Sequence, residues 1–127
     1  MSVEKVSITE GYTFDITTGK FTVKVDVPET LGGKDQAPDP HRYLEVALAG
    51  CTAITVQMYA KRRNIPLEYT DVKIKILSEG AKNEILREVH FVGDLTEEQK
   101  TTLLSIAEKC PIHKLLSAGA LITTKVI

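Results

Sequence analysis

Residues 39–66, DPHRYLEVALAGCTAITVQMYAKRRNIP, decide how the rest of the chain is read. Asp39 followed by Pro40 has the form of a helix start: the aspartate side chain caps the first turn, and proline at the first helical position gives up an N–H that would lack a partner anyway. Ala47, Leu48, Cys51, Ile54, Thr55 and Met58 fall on one face at helical spacing, while Ala49, Gly50 and Ala53 make other faces small and apolar. A helix that is apolar nearly all round is buried nearly all round. Lys61, Arg62 and Arg63 sit in the last turn, where cations suit the negative end of the helix dipole, and Asn64 and Pro66 close the helix near Arg63. The mostly apolar run Val46–Tyr59 is 14 residues long and contains Gln57. It is too short to span a bilayer and suits a buried core helix.

On the N-terminal side the chain reads as β. Phe21, Val23, Val25 and Val27 alternate with Thr22, Lys24 and Asp26, the period of a half-buried strand. Thr18-Gly19 is a turn signal, and the β-rich stretch 12–17 before it completes a hairpin. Pro28 ends the strand. Residues 28–40, PETLGGKDQAPDP, hold three prolines and two adjacent glycines. A loop of this kind either carries function, wraps a partner, or is plain linker.

Beyond the long helix, Val72, Ile74 and Ile76 alternate with Lys73 and Lys75, residues 80–83 supply a turn, and Glu84–Val92 returns as a strand. Arg87 shares the face of Val89 and Phe91, as a surface arginine at a sheet edge or as an inward-pointing charge near a site. Thr96 and Gln99 form a capping box ahead of a helix with the stripe Leu103, Ile106, Ala107 and Cys110. Pro111 disfavours helical geometry at Cys110 and opens a short helix over about 112–118 that stops at Gly119. The β-rich residues 120–127 predict a closing strand. The order ββ–α–ββ–αα–β is an α+β pattern in one domain spanning 1–127.

Composition limits the function. With 127 residues, 43% hydrophobic and 26% charged, the chain has the profile of a soluble globular domain. Lys and Arg number 16 against 17 Asp and Glu, so there is no basic excess of the kind nucleic-acid binding requires. The N-terminus MSVEKVSITEG has no apolar signal region, which points to the cytoplasm, and no membrane partner is expected. Two cysteines make no disulfide framework. His41, His90 and His113 have no metal-ligand spacing with them, so neither a metal nor another cofactor is expected. There is no GxSxG elbow, and Gly32-Gly33 lacks the flanking pattern of a phosphate loop.

The two cysteines differ in setting. Cys110 stands at or next to the N-cap of the short helix, where a thiolate is stabilised, with His113 three residues on and Lys109 and Lys114 adding positive potential. It equally suits a small apolar residue finishing the Leu103–Ile106–Ala107 stripe. Cys51 lies about three turns inside the long helix, without help from that helix's dipole and among apolar neighbours that push a thiol pKa up. On position alone it reads as packed core. If the two helices meet, a thiolate and a second thiol are the minimum kit for a peroxide-reducing cycle. Glu45, six residues before Cys51, reads as a base or ion-pair partner, or as a solvent-facing glutamate.

Several of these motifs resemble a known family. The run Leu48-Ala49-Gly50-Cys51-Thr52-Ala53-Ile54-Thr55-Val56-Gln57-Met58-Tyr59-Ala60 is similar to the central helix of the OsmC/Ohr family. Gly93-Asp94-Leu95-Thr96 followed by Cys110-Pro111-Ile112-His113 resembles that family's second-cysteine region, and Val27-Pro28-Glu29, Gly32-Gly33 and Pro38-Asp39-Pro40 resemble its loop into the helix. The resemblance covers about residues 12–127 and points to the OsmC-like branch. It implies an α+β OsmC-type fold in an intertwined homodimer, and a thiol peroxidase for organic hydroperoxides in the oxidative stress response. Cys51 would then attack the peroxide, Cys110 would close a disulfide onto it, and a cellular dithiol would reduce that disulfide.

The chain departs from the hydroperoxide-resistance branch in two respects. That branch carries an activating arginine in its N-terminal β section, whereas the first arginine here is Arg42. It also has a glutamate ten residues before the cysteine, where this chain has His41. Arg42 and Glu45 are the candidates to substitute, or an arginine from the partner chain such as Arg87; as a cation beside Cys51 the candidates are Arg42, Arg87 and His113, with Arg87 favoured. The alternative is a non-catalytic protein of the same fold that binds a small apolar ligand or senses redox state.

Overall fold

The computed structural model describes residue 3 and residues 5–127, in two compact units, Met1–Leu44 and Glu45–Ile127. The first unit is built on an antiparallel sheet of β1 (Lys5–Glu10), β2 (Thr13–Thr18) and β3 (Phe21–Val25), in that order. Both connections are two-residue loops whose first residue is a glycine with positive φ, Gly11 and Gly19, each at 56°. A β-carbon is costly in that conformation, and such loops match the twist of the strands they join. The hairpin read from the sequence is β2–β3; β1 was not anticipated. The register puts Val6, Ile8, Phe14, Ile16, Phe21, Val23 and Val25 on one face. The opposite face carries Thr13, Asp15, Thr17, Thr22 and Lys24, with Lys24 paired to Asp15 at 2.7 Å.

The proline-rich loop is held by a carboxylate rather than by a core. Asp26 is 1% exposed. Its two oxygens accept from the Thr13 hydroxyl (2.9 Å) and from the amides of Val27 (2.7 Å), Gln36 (3.2 Å) and Lys34 (3.4 Å). Burial raises the Asp26 pKa and is the largest single influence, but these four donors together hold the carboxyl below its ordinary value. The loop contains one 3₁₀ turn, Glu29–Leu31, and folds back so closely that a β-carbon at Gly33 would lie 2.0 Å from the Val27 carbonyl oxygen. Tyr12, Phe14, Val25, Asp26, Val27, Leu31 and Pro40 line an apolar pocket of about 370 Å³ within this unit.

The boundary between the units falls inside α1 (Pro40–Arg62). The helix starts as its sequence predicts: Asp39 Oδ1 accepts from the Arg42 amide at 2.9 Å. It also ends as predicted. Asn64 takes φ 55°, the Ile65 amide returns to the Ala60 carbonyl (2.9 Å) and the Asn64 amide to that of Lys61 (3.4 Å). That is a Schellman termination with asparagine in the usual glycine position. The buried face, however, is not the expected one. Leu48, Thr52, Val56 and Ala60 are buried, whereas Ile54 and Met58 are 62% and 55% exposed. A helix with little polar contrast around its circumference gives periodicity no phase to lock onto.

The second unit pairs β4 (Leu67–Ser78) with β5 (Glu84–Gly93) in an antiparallel ribbon, followed by α2 (Glu97–Ala107) and α3 (Pro111–Ala118). Its core joins Val56 and Ala60 of α1, Leu67 of β4, and Leu103 and Ala107 of α2, with Tyr59, Ile65, Phe91, Leu95 and Ile106 packed around them. The capping box of α2 is present in both directions: the Gln99 amide donates to Thr96 Oγ1 (3.1 Å) and the Thr96 amide to Gln99 Oε1 (3.0 Å). Residues 120–127 form no strand, contrary to expectation, and Leu121, Ile122, Val126 and Ile127 stand in solvent. A β-rich segment becomes a strand only beside a partner edge. Among the described residues no helix is long and apolar enough to cross a membrane.

Asp26 sets a pH test. Its carboxyl is harder to protonate in the folded chain than in the unfolded one. The stability it adds is therefore present above the unfolded pKa of about 3.9 and disappears as pH falls through the lower folded value. Asp26→Asn is expected to melt lower than wild type at neutral pH and to lose less further stability on acidification. Thermal melts between about pH 7 and pH 2 read both effects.

Candidate active site

The first turn of α3 is where the second unit concentrates its polar groups. Cys110 is its N-cap, with φ −58° and ψ 134°, and Pro111 occupies the first helical position. The next two amides of that turn have no carbonyl partner within the helix, and each is directed at a sulfur. The His113 amide donates to Cys110 Sγ at 3.3 Å, and the Ile112 amide donates to Cys51 Sγ. Cys110 is fully buried, and it ends the α2 stripe as well as capping α3. Both cysteines are free thiols, and the Cys110 thiol lies within hydrogen-bonding reach of Cys51 Sγ.

Cys51 sits on α1 at the border between the buried stripe and the exposed residues Ile54 and Met58, and is half-buried. Thr55, one turn on, places Oγ1 3.9 Å from its sulfur. Burial pushes the Cys51 thiol up and is the largest single influence. The Ile112 amide, the Cys110 thiol, the Thr55 hydroxyl and the positive charge of Arg87 act the other way and together carry it below the ordinary cysteine value. Its own helix gives Cys51 no help, as its mid-helix position implies; the help comes from outside, from the Ile112 amide in the first turn of α3.

Arg87 lies on β5 opposite Ile74 and points inward, not to the sheet edge. Its Nη1 donates to Thr52 Oγ1 at 3.1 Å, and its Nη2 stands 3.0 Å from His113 Nδ1. A guanidinium has no acceptor, so Nδ1 is the accepting nitrogen and His113 carries its proton on Nε2. Both partners are neutral, and the arginine keeps its charge for the thiol.

The remaining two candidates are Arg42 and Glu45. Arg42 is exposed in the first unit, its amide held by Asp39. Glu45, six residues before Cys51, is rotated about 120° around α1 from it. The residues that sequence reasoning missed are Thr52, Thr55 and the Ile112 amide. Thr52 had a usable signal, since it is a hydroxyl inside the apolar run. The amide had none, because its meeting with Cys51 is made only by tertiary packing. Among the described residues no group of three or more His, Cys, Asp and Glu side chains is placed to hold a metal ion.

Solved structures share this architecture. A protein described as an osmotic stress induced and detoxification response protein, from Psychrobacter arcticus, superposes with a TM-score of 0.75 at 18% identity, over 90% of this chain and 87% of that one. The OsmC-like protein of Mycoplasma pneumoniae gives 0.72 at 16% identity, over 92% and 88%. An organic hydroperoxide resistance protein OsmC from Legionella pneumophila gives 0.59 at 21%, over 91% of each chain. At these identities the likeness is one of fold. No curated protein matches the sequence. Residues 33–125, which include both cysteines, Arg87 and His113, match the OsmC-like protein family, and the chain belongs to that family.

Proposed function

We propose that the protein is a cysteine-based peroxidase that reduces organic hydroperoxides in the cytoplasm. The observation that carries this reading is the pair of free thiols at the N-terminus of α3, close enough for Cys110 to act on the Cys51 thiol, with Arg87 held between Thr52 and His113. The Cys51 thiolate attacks the outer oxygen of the hydroperoxide, and the O–O bond breaks. The products are a Cys51 sulfenic acid and an alkoxide, which takes a proton to leave as the alcohol. The Cys110 thiol then condenses with the sulfenic acid, forming the Cys51–Cys110 disulfide and releasing water. A cellular dithiol returns both cysteines to thiols and is itself oxidised to a disulfide. The names of hydroperoxide resistance proteins of the same fold support the substrate class. No cofactor enters this cycle.

We also propose that the working form is a homodimer. The α1 residues Val46, Gly50, Ile54 and Met58 form a second apolar stripe on the side away from Leu48–Ala60, and Val46, Ile54 and Met58 are exposed. The apolar face of the β1–β2–β3 sheet exposes Val6, Ile8, Phe21 and Val23. Exposed apolar faces of this kind, one on each unit, mark interaction sites. The expected species in sedimentation at micromolar concentration is the dimer, and a monomer there removes this part of the proposal.

Thiol counting after peroxide treatment tests the chemistry. Wild type should lose two thiols per chain to a Cys51–Cys110 disulfide; thiols that stay reduced would favour a non-catalytic ligand-binding protein. Cys51→Ser should abolish peroxide consumption, and Cys110→Ser should allow a single turnover that leaves Cys51 trapped or over-oxidised. Arg87→Met should shift the pH profile of Cys51 alkylation upward, because it removes the one full charge acting on the thiolate. An unshifted profile would exclude Arg87 as the activating group.

A further inference from the structure

Thr52 follows Cys51 on α1 and takes no part in the cycle above. It is 0% exposed, so water cannot stand in for any bond its hydroxyl makes. The hydroxyl proton is committed: Oγ1 donates to the Leu48 carbonyl, one turn back, at 2.7 Å. The lone pairs of Oγ1 are left to accept, and Arg87 Nη1 donates to them at 3.1 Å. The other end of the guanidinium donates to His113 at 3.0 Å. Arg87 thus bridges the residue after Cys51 on α1 and the residue three after Cys110 on α3.

We infer that Thr52 is a positioning residue, whose buried hydroxyl holds the Arg87 guanidinium at the distance from Cys51 where its charge stabilises the thiolate. The inference rests on the thiol-peroxidase reading for its purpose, but not for its test. Arginine side chains are long and have many rotamers. With one neutral acceptor on each side, the guanidinium is fixed between α1 and α3 without an anion to neutralise it. A carboxylate in place of Thr52 would hold it more strongly but would compete with the thiolate for its charge. A β-branched threonine is also stiff at χ1 in a helix, so the acceptor does not wander. If the hydroxyl is lost, Arg87 keeps His113 of these two acceptors, and one half-buried N–H loses its partner.

The test is the rate of Cys51 alkylation against pH, read by peptide mass mapping in the full-length protein. Thr52→Val keeps the shape and removes the hydroxyl; the profile should move upward, with the rate at pH 7 falling about threefold, the size expected for one hydrogen bond. Thr52→Ser should return to the wild-type profile. In an Arg87→Met background Thr52→Val should add nothing, since Thr52 acts through the arginine. The Thr52→Ser and Thr52→Ala pair repeats the comparison without the γ-methyl, so a folding defect in the valine variant does not decide the matter. A wild-type profile in both Thr52→Val and Thr52→Ala, alongside an upward shift in Arg87→Met, would overturn the role of Thr52 and leave arginine activation standing. If Arg87→Met is also unshifted, arginine activation fails with it. If Thr52→Ser behaves as Thr52→Ala does, the hydroxyl is not the cause and the inference fails.

Discussion

The free energy of a thiolate at position 51 is governed by the first turn of α3. An anion in a half-buried apolar setting has lost much of its hydration, and something must take the place of the water. At Cys51 the Ile112 amide does part of this, while the next amide, that of His113, serves Cys110. They are free to do so because the first amides of any helix have no partner within it, and because Pro111 removes the one donor that would have no sulfur to serve. The rest of the second unit sets this turn in place. The capping box starts α2, its buried stripe of Leu103 and Ala107 packs against α1, and the stripe runs on to Cys110 at the cap. β5 then brings Arg87 in from the other side.

How much of this was legible depends on how far apart in sequence the partners are. Features settled within four residues were readable: Asp39 with Arg42, Gly19 in its hairpin, Thr96 with Gln99, Cys110 as cap of the helix opened by Pro111. Each rests on one side chain meeting one nearby amide, or on one turn conformation. Features set by distant partners were not. The buried face of α1 depends on where β4 and α2 lie, and a run made of Ala, Gly, Leu, Ile and Val looks the same from most sides. β1 was missed although residues 5–10, KVSITE, alternate polar and apolar: the alternation holds only two apolar residues, Val6 and Ile8, too short a run to stand out. The tail has strand-forming residues and no strand, since it pairs with no strand of either sheet.

The site was legible in part for the same reason. Cys110 could be seen at the cap of α3, and Arg87 on an otherwise apolar strand face. Cys51 looked inert, because every influence visible in sequence raises its pKa: burial, apolar neighbours, and a mid-helix position. The influences that lower it come from residues 87, 110 and 112, between 36 and 61 positions away along the chain. Only Thr55 is local, one helical turn on, and the sulfur–oxygen separation of 3.9 Å makes it a weak contact.

The way this stabilisation is divided matters for reactivity. A thiol paired with a close, dedicated cation would ionise fully, but a strongly stabilised thiolate is also a poor nucleophile, since intrinsic nucleophilicity falls with pKa. The attacking thiol that reacts fastest has a pKa near the ambient pH. At Cys51 the largest single influence still opposes ionisation, and it is overcome by several modest ones: an amide, a thiol, a hydroxyl and a charge. The arginine is held by neutral groups on α1 and α3, not by the sulfur itself, so its effect on Cys51 is exerted through space. That arrangement lowers the pKa without placing the guanidinium on the sulfur. A low local dielectric strengthens each of these terms and also raises the cost of losing one. The apolar surroundings that made Cys51 look like packed core are therefore a condition of its chemistry: they make a distant charge and two weak donors count.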